Sequence, residues 1–339
     1  MLAGVERDFT FRDGERLIRF GAGALAEAPR LLADRGFDAY ALLTTERAQE
    51  MGPRLVENAD AVLHVPGGAV PQAAAAVRPL VAGRPIVALG GGRVVDSAKA
   101  IAGADGLDCA VLPTTLSGAE LTGFHRMPEG AQGGRLVRPS TVISDPRLMA
   151  SQPMPALAAS AMNGLAHAVE ALYTPLANPM ASAAALRSAA LFGSGLADER
   201  PDRESLALAA TLAGWASGSA GYAVHHVVCQ TIVRIAGTPH AKTNAVVLPH
   251  SVALMEGRCP VAIGALASAL GDPDGNPTAA AALVRTLVSR AGAGRLRELG
   301  MTEDDIDPVV ESVLGRAELA NTPDPPDALE LRAMLHAAL

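Results

Sequence analysis

Over residues 1–147, short apolar runs alternate with stretches in which apolar positions recur every three to four residues. The runs have the length of buried strands, and the recurring positions have the period of helices packed on one face. Residues 17–21, 39–44, 61–65, 85–89, 109–112 and 141–144 are predicted strands. Residues 24–35, 46–57, 72–81 and 94–102 are predicted helices between them. Such alternation specifies βαβ units, a mostly parallel sheet, and ligand sites at the carboxyl ends of its strands.

After Asp145-Pro146 the pattern changes. Segments rich in Ala, Leu and Met keep a helical period to the end, broken by Pro and Gly, and no strand pattern follows. The predicted organisation is an α/β domain at 1–147 and an all-helical domain at 148–339, with the cleft between them as the default active site. The second domain closes with a Pro-rich turn at 321–326 and a helix at 328–339. Residues 148–169 and 205–233 contain no Asp, Glu, Lys or Arg. Each is long enough to cross a bilayer. Their Gly, Pro, Gln and His residues favour buried helices of a large globular domain instead. The first residues carry charges where a secretion signal would be apolar, so no leader is expected.

Composition narrows the function. Of 339 residues, 49% are hydrophobic and 3% aromatic, so bases have little to stack on. A net charge of −7 argues against nucleic acid or an anionic membrane as a partner. Cys109, Cys229 and Cys259 are far apart and odd in number. They form neither a disulfide framework nor a paired metal motif, which points to a reducing cytoplasm.

Three segments carry candidate chemistry. The predicted strand at 85–89 runs into Gly90-Gly91-Gly92, and Asp96 and Lys99 follow on a helix. Glycines admit close backbone approach, and a helix N-terminus offers free N–H groups to phosphate. Next, Pro113-Thr114-Thr115-Leu116-Ser117 follows the strand at 109–112, and its hydroxyls suit hydrogen bonding to a nucleotide. In the helical half, Asn163 and His167 are four apart on one helix face. His225-His226 and His240 lie further on, with a helix break predicted between them at Gly237-Thr-Pro239. One Asn and three His from separate elements have the composition of a divalent metal site.

In this order the motifs resemble the iron-type, group III alcohol dehydrogenases, over nearly the whole chain. The resemblance implies a dehydroquinate synthase-like architecture. A Rossmann-like domain binds NAD(P), an all-helical domain completes the site, and hydride passes between cofactor and substrate. It places the cofactor on Gly90, Gly91, Gly92, Asp96, Lys99, Thr114, Thr115, Ser117 and Thr45. Thr45 stands where the family has a cofactor-selecting acid, so NADH and NADPH are both open. The family's metal ligands, one Asp and three His, map to Asn163, His167, His226 and His240, and a further family histidine maps to Gln230.

The Asp-to-Asn difference removes the only anionic ligand. The pattern is similar to the maleylacetate reductase subgroup, which implies metal-independent reduction of a 2-oxo-alkenoic dicarboxylate. In that reading His226 and His240 stabilise charge and deliver a proton, while His167 and Asn163 orient the substrate. Lys242 and Arg126 are candidate partners for an anionic oxo-acid. Two other readings stay open: a metal-dependent alcohol or aldehyde dehydrogenase holding iron or zinc on the four mapped residues, and a non-catalytic cofactor-binding relative. The resemblance also implies a homodimer. Arg93, Ala119 and a short segment at 125–145 depart from the family pattern and bear on the substrate.

Overall fold

Strand residues buried on both faces dictate the first half of the molecule. A computed structural model describes residues 7–292 and 294–339. It divides into two units, Met1–Ser151 and Gln152–Leu339. The described strands of the first unit are Phe9–Asp13 (β1), Arg16–Phe20 (β2), Ala41–Thr44 (β3), Ala61–His64 (β4), Ile86–Gly90 (β5), Cys109–Pro113 (β6) and Thr141–Ser144 (β7). They form one sheet in the order β1-β2-β7-β6-β5-β3-β4. Only β1–β2 is antiparallel; the other neighbours are parallel. Alternate residues serve opposite faces. Leu43, Ala88 and Val111 pack in the core that takes in the Val70–Val81 and Gly92–Asp105 helices. Leu42, Val87, Leu89 and Leu112 pack in the core beneath Ala24–Ala33. Burial on both faces is why these strands read as continuous apolar runs.

Two details differ from the sequence expectation. β1 was not expected: its Phe9, Thr10, Phe11, Arg12 and Asp13 lie at an edge, where no face is fully covered. It is held by pairing to β2 through the turn at Gly14, whose φ is +60°. The single helix expected at 46–57 is two, Glu46–Gln49 and Pro53–Glu57. Pro53 has no N–H to continue the first helix and instead starts the second.

The second unit has no strand among its described residues. Its principal helices include Met154–Ala171, Pro179–Gly195, Arg203–Ala220, Val224–Ala236 and His240–Met255. The charge-free stretches fall largely on buried faces of Met154–Ala171, Arg203–Ala220 and Val224–Ala236. No helix among the described residues is long and apolar enough to cross a membrane. The second stretch carries two helices because Gly221, at φ +83°, turns the chain after Ala220.

Candidate functional site

In the first unit, the carboxyl ends of β3, β5 and β6 lie side by side. Leu43 pairs with Ala88, and Gly90 with Pro113. This brings Thr45, Gly90–Gly92 and Thr114–Ser117 to one edge of the sheet. Gly91 is the N-cap of the fourteen-residue Gly92–Asp105 helix and supplies no side-chain cap. The first N–H groups of that helix are therefore available to an anion. Thr45 caps the Glu46–Gln49 helix, accepting the Ala48 N–H at 3.3 Å.

The glycines are also demanded by the protein itself. A Cβ on Gly90 would lie 2.6 Å from Val94 Cβ. One on Gly91 would lie 2.8 Å from Thr115 Cγ2, and one on Gly92 3.3 Å from Ser117 Oγ. The Gly and Thr/Ser motifs thus interlock. Lys99 is fully buried; its ammonium donates to Ala119 O at 2.8 Å and pairs with Asp96 at 2.8 Å. It ties the helix to the loop after β6. Beside it Glu120 is fully buried, and neither carboxylate oxygen has a hydrogen-bond partner among the described residues. Burial raises its pKa to about 7. Arg126 is exposed. In the short segment after it, the Val137 N–H donates to His125 Nε2 at 2.9 Å, and the Arg135 N–H to Gly103 O at 3.1 Å.

In the second unit, His167 from Met154–Ala171 and His226 from Val224–Ala236 stack. Their ring centroids are 4.0 Å apart and their planes 15° from parallel. Asn163, 4% exposed, lies one turn before His167. His167 Nδ1 is 3.1 Å from Ser217 Oγ, on the Arg203–Ala220 helix. The edge of Tyr222 meets the His226 ring at 6.0 Å. His240 is exposed and opens the helix His240–Met255; its Nε2 is 3.4 Å from Asn244 Nδ2. Lys242 is exposed on the same helix. Gln230, at the position of the family's further histidine, accepts from Arg316 at 3.0 Å. Arg316 also donates to Glu318 and Tyr222.

The two adjacent histidines are wired differently. Asn244 gives its NH2 to His240 O at 2.8 Å, so its Oδ1, 3.0 Å from His225 Nε2, must accept. His225 Nδ1 lies 2.8 Å from Ser251 Oγ, whose single hydroxyl proton is shared between that nitrogen and Leu248 O at 3.0 Å. That set satisfies a neutral ring, and burial lowers the His225 pKa to about 3. His226 Nδ1 instead lies 2.5 Å from Glu170 Oε2. Its Nε2 is buried and has no hydrogen-bond partner among the described residues. Burial, with His240 nearby, lowers its pKa to about 3.

Glu170 was not singled out for a role in the sequence, although it lies three residues after His167 on the same helix. It ends the charge-free stretch 148–169, the one signal that could have found it. Ser217 gave no such signal, fifty residues from the His167 it bonds; Asn244 lies nineteen residues from His225 and one helical turn after His240, a spacing that could have found it.

This arrangement does not fit a divalent ion. Imidazole lone pairs lie in the ring plane, and a ligating nitrogen sits about 2.0–2.1 Å from zinc. Two nearly parallel rings 4.0 Å apart direct their lone pairs side by side, not at one point. Asn163 adds no negative charge to offset a cation. Among the described residues, no group of three His, Cys, Asp or Glu side chains is set to hold a metal.

The family description "Fe-containing alcohol dehydrogenase family, C-terminal" matches residues 157–339. Maleylacetate reductase 1 of Rhodococcus opacus is 35% identical over 322 residues, 88% of each chain. The crystal structure of maleylacetate reductase from Agrobacterium tumefaciens superposes with a TM-score of 0.82, at 28% identity, over 99% of both chains. An iron-containing alcohol dehydrogenase from Corynebacterium glutamicum also reaches 0.82, at 29% identity, over 94% of this chain and 92% of the other.

Proposed function

Since the chain belongs to the Fe-containing alcohol dehydrogenase family and is an oxidoreductase, we propose that it is an NAD(P)H-dependent reductase of the maleylacetate reductase type that works without a metal. Its substrate is an anionic oxo-acid with a C=C bond conjugated to a carbonyl. When bound, the reduced nicotinamide supplies hydride. The uncapped N-terminus of Gly92–Asp105 receives the pyrophosphate, and Thr114, Thr115 and Ser117 line the same sheet edge. Lys99 and Asp96 buttress that edge from beneath. Thr45 is uncharged and accepts either nicotinamide cofactor.

The histidine cluster handles the other half of the reduction. Hydride addition to an enone leaves negative charge on the carbonyl oxygen, which needs a hydrogen-bond donor and then a proton. His226 and His240 serve these needs, and Asn163 and His167 orient the substrate. The observation that carries the metal-free reading is the His167–His226 stack beside a neutral Asn163, a donor set without charge or convergence for a cation.

The test is a turnover assay of the purified protein with NADH and NADPH against maleylacetate and simple aldehydes, with and without a strong chelator, alongside elemental analysis. Turnover of maleylacetate that survives the chelator, with well under one equivalent of iron or zinc, is the expected result. A stoichiometric metal whose removal abolishes activity would assign the chain to the metal-dependent alcohol dehydrogenases instead.

A further inference from the structure

Arg316 is a cation that the sequence did not mark. It stands just before the Ala317–Asn321 turn, which packs on the Val224–Ala236 helix. Its side chain is 13% exposed, whereas Lys242 and Arg126, the cations marked for an anionic substrate, are exposed. Water screens a charge at the surface far more than an enclosed one. Arg316 reaches the histidines by two routes. It donates to the hydroxyl of Tyr222, whose ring edge meets His226. It also donates to Gln230, one helical turn after His226 on the same face.

The hydrogen bonds around this guanidinium are incompletely filled. Glu318 takes one edge of it with both oxygens, at 2.9 and 3.2 Å. Those bonds hold the Glu318 carboxyl down at about 2, so it is ionised, and they fix the guanidinium in one plane. Tyr222 takes one further N–H at 3.3 Å and Gln230 another at 3.0 Å. A guanidinium has five N–H groups, so one is left over. Because a guanidinium only donates, Gln230 must turn its Oε1 to Arg316 and present its NH2 elsewhere. Among the described residues, neither the two N–H groups of that amide nor the fifth of Arg316 meets an acceptor. Three donors, one of them on a cation, therefore lie together beside the histidine cluster. Glu318 is 40% exposed, so water damps its charge more than that of Arg316.

We propose that Arg316 and Gln230 bind a carboxylate of the substrate and so select an oxo-diacid over an uncharged enone or a simple aldehyde. This proposal rests on the reductase reading above, in which the substrate carbonyl goes to His226 and His240. A short oxo-diacid carries a carboxylate two or three bonds from its carbonyl, on the scale of the single helical turn between His226 and Gln230. The carboxylate accepts the N–H groups that Glu318 and Tyr222 leave open. Glu318 stays paired throughout: it fixes the guanidinium and opposes the incoming charge at once. That double role gives opposite signs to two substitutions. Arg316→Met removes the cation and its donors. Glu318→Gln keeps an oxygen for Arg316 and removes the opposing charge.

Titration calorimetry with 3-oxoadipate, the saturated dicarboxylate that reduction of maleylacetate leaves, reads this site without turnover. NAD+ and NADP+ are both present, so the cofactor site is filled whichever is preferred. Arg316→Met is expected to weaken binding by about 10- to 100-fold, the usual effect of a hydrogen bond to a charged group, and Gln230→Leu by about tenfold. Glu318→Gln is expected to tighten binding by about threefold, because a like charge near the carboxylate is gone. The KM for maleylacetate should move with each.

If Arg316 only held Tyr222 and the turn in place, Arg316→Met and Glu318→Gln would break the same network and shift affinity in the same direction. That result overturns the proposal, as does unchanged affinity in Arg316→Met or a wild type that binds no 3-oxoadipate. Where Arg316→Met does not fold, Gln230→Leu and Glu318→Gln must still move affinity in opposite directions. A protein that binds the dicarboxylate through these residues and reduces no enone overturns the reductase reading and leaves the carboxylate site standing.

Discussion

Two buried glutamates show how much one residue's surroundings decide. Glu170 is met by N–H donors of three residues on a helix end, whereas the Glu120 carboxyl has no hydrogen-bond partner on another described residue, only its own backbone N–H and the field of Lys99, Asp96 and Arg16. Burial keeps Glu120 protonated in the folded chain up to about pH 7, while the unfolded chain loses that proton near the ordinary glutamate value of 4.5. Between those values the unfolded state binds fewer protons, so this group's contribution to stability is present below about pH 4.5 and is lost as pH rises through 7. The shift corresponds to about 3 kcal/mol. Glu120→Gln removes the titration. Urea unfolding at pH 4.5 and 8 should show the variant gaining about 2–3 kcal/mol on the wild type across that interval. Parallel curves would mean that Glu120 is ionised throughout.

At the scale of elements, the sheet edge and the helix that leaves it are one interlocked piece. Gly91→Val places branched carbon against Thr115 and obstructs the N–H groups at the head of Gly92–Asp105. Calorimetry should show NAD(P)H affinity falling by at least about tenfold, with circular dichroism little changed. Unchanged affinity in a folded variant would remove the cofactor from this loop. The strands legible in sequence are β2, β3, β5, β6 and β7, buried along their whole length, and β4, a half-buried strand at the other edge whose Ala61-Val62-Leu63 still reads as an apolar run. β1 was not, because its side chains are mostly exposed and what holds it, the backbone pairing to β2, the Phe9–Phe20 stack and the Asp13–Arg16 pair, leaves no apolar run. The split at Gly52-Pro53 was visible as a residue pair but was overridden by the apolar period around it. In the site, the Gly, Thr and His motifs were legible because they are local. The Glu170–His226 contact joins residues 56 apart, and sequence spacing carries no such distance.

At the scale of the whole molecule, the expected change from α/β to all-helical architecture at 147 lies beside a division between two compact units after Ser151. The unusual property at this scale is the distribution of amines. The chain has only two lysines, Lys99 and Lys242. Lys99 is wholly enclosed beneath the sheet edge, and Lys242 is exposed two residues after His240. An acylating reagent therefore finds a single reactive side-chain amine on the folded protein, next to the histidine cluster. Intact-mass measurement after mild treatment with an activated ester should find one side-chain adduct, mapped by peptide digestion to Lys242, besides any at the terminal amine. A modified Lys99 would mean that the sheet edge opens in solution. For anyone tethering this protein to a bead, an electrode or a dye, the consequence is practical. Lysine coupling would give a uniform orientation and would place the tether beside the histidine cluster, so an introduced cysteine on a distant surface is the better anchor.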